Sequence, residues 1–158
     1  FAFECNPDLA ARLSSDPRIA VANQALWTNA GSIEFFLTDE TTCSSVFAKA
    51  GMGKLQKRRV AVPAIDFAGW LAVRTRPEDF VILKLDVEGA EYPILDHLIS
   101  RNVAENIDIL FIEFHNDWVG VPKERDEALL RQLRERGIRV EFAQSNKDGD
   151  WFARPRWP

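Results

Sequence analysis

The 158-residue sequence predicts an α/β domain, a doubly wound and mostly parallel sheet that ends in a C-terminal antiparallel hairpin. Three observations carry this. Val81–Leu85 and Ile107–Ile112 are short apolar runs rich in branched residues, too brief for globular helices and suited to strands buried in a parallel sheet. Helical patterns follow each run, through Ile94, Leu95, Leu98 and Ile99 and then through Leu129, Leu130 and Leu133. Near the end, Ile138–Ala143 and Trp151–Ala153 flank Asn146-Lys147-Asp148-Gly149, a strong hairpin turn signal.

In chain order, Phe1-Ala2-Phe3 reads as a strand ending in Glu4. Asn6 is then a good N-cap, and Pro7 suits the first position of a helix carrying Leu9, Ala10 and Leu13. Ile19–Leu26 is a second strand. Asn29-Ala30-Gly31 is a turn, and Ser32–Leu37 is a third strand, so these two strands are expected to form a hairpin-like extension. Thr38–Arg59 is polar, carries Gly51 and Gly53 and lacks periodicity, as a long mobile loop would. Val60–Pro63 is a short extended piece, and a helix starting near Asp66 runs to Val73. The strand Val81–Leu85 leads into a helix from about Glu91 to Arg101, and the next strand ends in Glu113. His115–Trp118 and Gly120–Pro122 read as a loop, Arg125–Arg136 as an amphipathic helix, and Gly137 as its C-cap.

Composition bounds the function. Hydrophobic content of 46% and charged content of 28% are ordinary for one globular domain spanning residues 1–158. A net charge of −4 with scattered Lys and Arg argues against nucleic acid as a partner, and Lys57-Arg58-Arg59 reads as a solvated loop. Cys5 and Cys43 have neither metal-site nor disulfide-framework spacing, so reduced thiols and a cytoplasmic location are expected. The longest apolar runs are too short for a membrane span.

Chemistry concentrates at strand ends. In open α/β sheets ligands bind outside the carboxyl ends of the strands, where Glu4, Asp86 and Glu113 are expected to share one edge. Asp86 directly abuts an apolar strand and is read as functional. Glu91 is explained by the first turn of the following helix, where a carboxylate suits the macrodipole. An acid at the tip of the first strand could accept hydrogen bonds from ribose hydroxyls.

Phe3-Glu4-Cys5-Asn6-Pro7, Leu83-Lys84-Leu85-Asp86-Val87-Glu88-Gly89-Ala90-Glu91 and Ile112-Glu113-Phe114-His115 together resemble the FkbM family of S-adenosylmethionine-dependent methyltransferases. The resemblance runs from Phe1 to about Gly137, and the Ile65-Asp66 step fits as well. It implies a class I methyltransferase fold, Rossmann-like, with a terminal antiparallel hairpin. The family's glycine-rich turn, Asp-x-Gly-x-x-Gly, has no counterpart here, because Gly51-Met52-Gly53 follows no strand and opens no helix. Its strand and loop are expected upstream of Phe1.

The resemblance further implies S-adenosyl-L-methionine as cofactor, with Glu4 on the ribose and the Cys5-Asn6 backbone bordering the adenine. Ala25 would form a small apolar wall, and Asp86 would lie near the methionine amine or the transferring methyl. The expected reaction is O-methylation of a small-molecule or glycan acceptor. A protonated hydroxyl is a poor nucleophile, so a base is needed, with His115, Asp86, Glu113 and Glu88 as candidates. His115, which titrates near neutrality, is preferred. Glu88 and Trp118 are the candidates for acceptor contact; Trp118 could stack on a sugar ring, and a rim or core aromatic is the favoured reading of it. The same cluster could hold a divalent metal through oxygen and nitrogen ligands, but the base reading is favoured over a metal. The alternatives are a dinucleotide-binding domain, which shares the ribose-binding acid, and a non-catalytic pseudo-enzyme, which fits the missing glycine turn.

Overall fold

The computed structural model describes residues 1–38, 44–47 and 56–142, the side chains of Gln56, Lys57 and Trp118 excepted. Strand β1 (Ala2–Phe3) pairs in parallel with β2 (Val21–Ala22). Between them lies α1 (Pro7–Leu13), capped as expected by the Asn6 side chain, which accepts the Asp8 N–H at 3.0 Å. The expected strand over Ile19–Leu26 is broken at Asn23-Gln24. There the Asn23 amide donates to the carbonyls of Glu4 and Cys5 at 2.7 and 3.1 Å, and the chain leaves β1. It resumes as β3 (Ala25–Trp27), which joins a different set of strands.

Strand β4 (Gly31–Thr38) does not pair with the strand before it, as the sequence suggested. Its antiparallel partner is β5 (Gln56–Asp66), and β3 runs parallel to the far end of β5. Strand β5 is thus eleven residues long rather than a short piece, and it absorbs the Lys57-Arg58-Arg59 cluster expected in a loop. Arg59 lies over the Phe36 ring at 5.4 Å and 3.9 Å from Glu34, so cross-strand contacts fit this basic residue to a strand exposed to solvent. The remainder of the expected long loop, with Gly51 and Gly53, lies outside the described residues.

Asp66 caps α2 (Phe67–Arg74), its carboxylate accepting the Gly69 N–H at 3.0 Å. Then come β6 (Ile82–Leu85), α3 (Glu91–Ser100), a 3-10 turn at Ala104–Asn106, and β7 (Ile109–Ile112). The expected loop after β7 contains a one-turn helix, α4 (Asn116–Val119), ended by left-handed Gly120. Helix α5 (Lys123–Glu135) leads to β8 (Arg139–Phe142). Gly137 has φ 84°; its N–H reaches the Arg134 carbonyl and that of Ile138 the Leu133 carbonyl, a paired C-terminal cap. Strands β6, β7 and β8 are all parallel, with β7 in the middle. The second strand of the expected terminal hairpin, with Trp151 and the turn before it, lies outside the described residues.

The main core joins α2, α3 and α5 to the β6-β7-β8 set through Leu85, Ile94, Leu95, Leu98, Leu110, Ile112, Leu129 and Leu133, all under 2% exposed. Each such side chain contributes about 1.5–3 kcal/mol by leaving water. A second cluster of Ala25, Phe35, Leu37, Val62 and Ala64 packs the β3-β5-β4 set. Strand β7 is buried as a parallel strand should be. Strand β6 is not, since Ile82 is 45% exposed: among the described residues β6 pairs only with β7. Its other side lines an apolar cleft of about 750 Å³, shared with Phe1, Phe3, Phe67 and Trp70 beside β1. In that cleft Trp70 meets Phe1, Phe3 and Phe67 ring to ring.

Candidate active site

The carboxyl ends of β1, β6 and β7 open onto one cavity of about 620 Å³, lined by Glu4, Cys5, Ala25, Asp86, Glu88, Glu113 and His115 among others. The three acidic strand ends therefore meet at one place, as the sequence suggested.

On one wall, the Glu4 N–H donates to the Ala22 carbonyl at 3.0 Å, and its carboxylate accepts the Asn6 N–H at 2.7 Å. Burial pushes the Glu4 carboxyl above its ordinary range, and the Asn6 and Cys5 amides pull in the opposite direction. Asn6 is 5% exposed, its side chain serves as the helix cap, and the cavity lining passes from Cys5 to Leu9 without it. Burial and then the Glu4 charge push the Cys5 thiol up to about 12, which makes it inert at neutral pH. Ala25, 1% exposed, lies in the lining of the same cavity.

The opposite wall is the turn between β6 and α3. Asp86 is paired with Lys84 at 2.9 Å. Glu88 has φ 55°, a left-handed conformation uncommon for a residue with a side chain and one that collects at functional sites. Gly89 has φ 105°, and a Cβ there would stand 2.5 Å from Val119 Cγ1, so only glycine fits. Two groups hold this turn. The Glu91 carboxylate accepts the Val87 N–H at 3.1 Å and the Gly89 N–H at 2.9 Å. Ser45, bridged to Phe36 of β4, donates its hydroxyl to the Glu88 carbonyl at 2.6 Å.

Behind the turn stands His115, 8% exposed. Its Nδ1 lies 2.8 Å from Glu91 Oε1, while Nε2 is 3.6 Å from Glu88 Oε2 and 3.9 Å from Glu113 Oε1. Burial alone would lower the His115 pKa, but the Glu91 hydrogen bond and charge, with the charges of Glu88 and Asp86, leave it raised above 6.5. Asp86, Glu88 and His115 each offer a ligand atom within 4.8 Å of the others. The Trp118 side chain lies outside the described residues.

Two residues of this site escaped the sequence reading. Glu91 was explained as a solvated helix-start charge, yet it is fully buried. The available signal was Ala90 at the N-cap: alanine has no capping side chain, so the first helical carboxylate turns back onto the amides before it. Ser45 sits in a segment without periodicity, and nothing in the sequence marks it.

An α/β domain whose parallel strand tips gather acids and a buried histidine around one cavity is consistent with a methyltransferase-like fold. The family model described as "Methyltransferase FkbM domain" matches residues 1–140, and the chain belongs to that family, whose general reaction is methyl transfer. No curated protein and no solved structure matches the chain. Among the described residues no helix is long and apolar enough to cross a membrane.

Proposed function

We propose that this protein is an S-adenosylmethionine-dependent O-methyltransferase acting on a hydroxyl of a sugar, glycan or secondary metabolite. The observation that carries the reading is the convergence of Asp86, Glu88, Glu113 and His115 Nε2 on the cavity that Glu4 closes from the other side.

The residues present fit the cofactor. A cavity of about 620 Å³ suits a nucleoside-sized ligand, and one wall offers a half-buried carboxylate beside small apolar surface. Glu4 would hold the ribose hydroxyls, the Cys5-Asn6 backbone and Ala25 would border the adenine, and Asp86 would face the amine. When bound, S-adenosylmethionine supplies an electrophilic methyl on a sulfonium, a leaving group that needs no acid.

What remains for the protein is to orient the acceptor and take its proton. Glu88 accepts a hydrogen bond from the acceptor and fixes its approach. His115 Nε2, beside Glu88 and Glu113, would take the proton of the acceptor hydroxyl. Glu113 and Glu88 stabilise the imidazolium that results, each within 3.9 Å of Nε2.

The test is His115→Ala in the full-length protein. Turnover should fall about 10²–10⁴-fold while cofactor affinity stays nearly intact. Unchanged turnover would remove His115 from the reaction.

A further inference from the structure

We propose that Glu91 is a positioning residue, whose buried carboxylate sets neutral His115 in the tautomer with its proton on Nδ1 and so presents Nε2 to the acceptor. The role toward an acceptor rests on the methyl-transfer reading; the tautomer does not. Both Glu91 oxygens already accept backbone N–H groups, from Val87 and Gly89, so in the 2.8 Å contact Oε1 is the acceptor and His115 Nδ1 the donor, which places the proton on Nδ1. Neutral histidine in water prefers the other tautomer, which makes this one a diagnostic signature.

Glu91 is held against rotation. It has no solvent exposure, and its two oxygens also receive the Val87 and Gly89 N–H groups at 2.9–3.2 Å. The same carboxylate therefore shapes the turn in which Glu88 takes φ 55° and sets the Glu88 carboxylate 3.6 Å from Nε2. One side chain thus organises both groups that the acceptor hydroxyl would meet, its hydrogen-bond acceptor and its base. Buried hydrogen-bond partners of this kind fix a histidine's ring and tautomer in other sites as well.

Four carboxylates face the His115 ring: Glu91 from the start of α3, Glu88 and Asp86 from the turn before it, and Glu113 from the end of β7. Of these four, Glu91 lies nearest the ring, 2.8 Å from Nδ1.

Nitrogen NMR of the histidine-labelled wild-type protein, at a pH where the His115 ring is neutral, tests the tautomer without any acceptor or turnover. The expected spectrum shows a protonated, pyrrole-type Nδ1 and an unprotonated, pyridine-type Nε2; the reverse pattern overturns the proposal even if methyl transfer is confirmed. Glu91→Gln tests the positioning role. Turnover should drop roughly 10²–10⁴-fold, as when a comparable base loses its orienting carboxylate. Cofactor affinity should hold within about twofold, because Glu91 lies outside the ribose wall. The acid limb of the pH–rate profile should move to lower pH, because a charge that favours the imidazolium is gone. A drop in turnover with an unmoved acid limb, or no drop, would contradict the role. If Glu91→Gln fails to fold, the wild-type ring resonances decide alone.

Discussion

His115 Nδ1 lies 2.8 Å from Glu91 Oε1, and the two residues belong to different elements 24 positions apart. Glu91 opens α3 while His115 follows β7, so the contact ties the β6–α3 turn to the tip of the neighbouring strand. Both side chains are buried, at 0% and 8% exposure, and at such burial a hydrogen bond is retained because breaking it is costly.

The pH behaviour of His115 follows from that contact. Its folded pKa is raised, chiefly by Glu91 working against burial, so the protonated form is favoured in the folded state. The stability this contributes is fully present below the ordinary value of 6.5 and is lost as pH rises through the higher folded value. Urea unfolding from pH 5 to 9 should show that decline, and His115→Gln should abolish it. A base must be unprotonated to act, so the acid limb of kcat/KM should have its midpoint above 6.5. A midpoint at or below that value would contradict the assignment.

Gly89→Ala should damage the turn directly. Its φ of 105° disfavours any side chain, and the added methyl would stand 2.5 Å from Val119 Cγ1. A loss of about 1–3 kcal/mol in urea unfolding is expected, with weakened turnover because Glu88 moves with the turn. A stability within about 0.5 kcal/mol of wild type would show that the turn adapts.

Much of this site was legible because strand ends are legible. Asp86 and Glu113 directly follow the four-residue strands β6 and β7, His115 comes two residues after Glu113, and parallel pairing of β6 with β7 brings such tips side by side. Asn6-Pro7 announced α1, and Gly137 announced the end of α5, because cap chemistry is local. Strand β5 was hidden because its first half is polar and basic, and only its antiparallel pairing with β4 makes it a strand. The break at Asn23-Gln24 was hidden for a similar reason: Asn23 bonds to carbonyls 18 and 19 residues away. The role of Glu91 depends on a partner from another element, and single-sequence patterns carry no such information.

Calorimetric titration of S-adenosylmethionine into full-length wild type and Glu4→Ala measures whether the cavity holds this cofactor through Glu4. The wild type should bind S-adenosylmethionine and not NAD. Glu4→Ala should lose about 1–3 kcal/mol of binding, roughly 5- to 150-fold in Kd, as expected for unpairing buried hydrogen-bonding groups. Equal affinity in wild type and variant, or tighter binding of NAD than of S-adenosylmethionine, would contradict S-adenosylmethionine binding through Glu4.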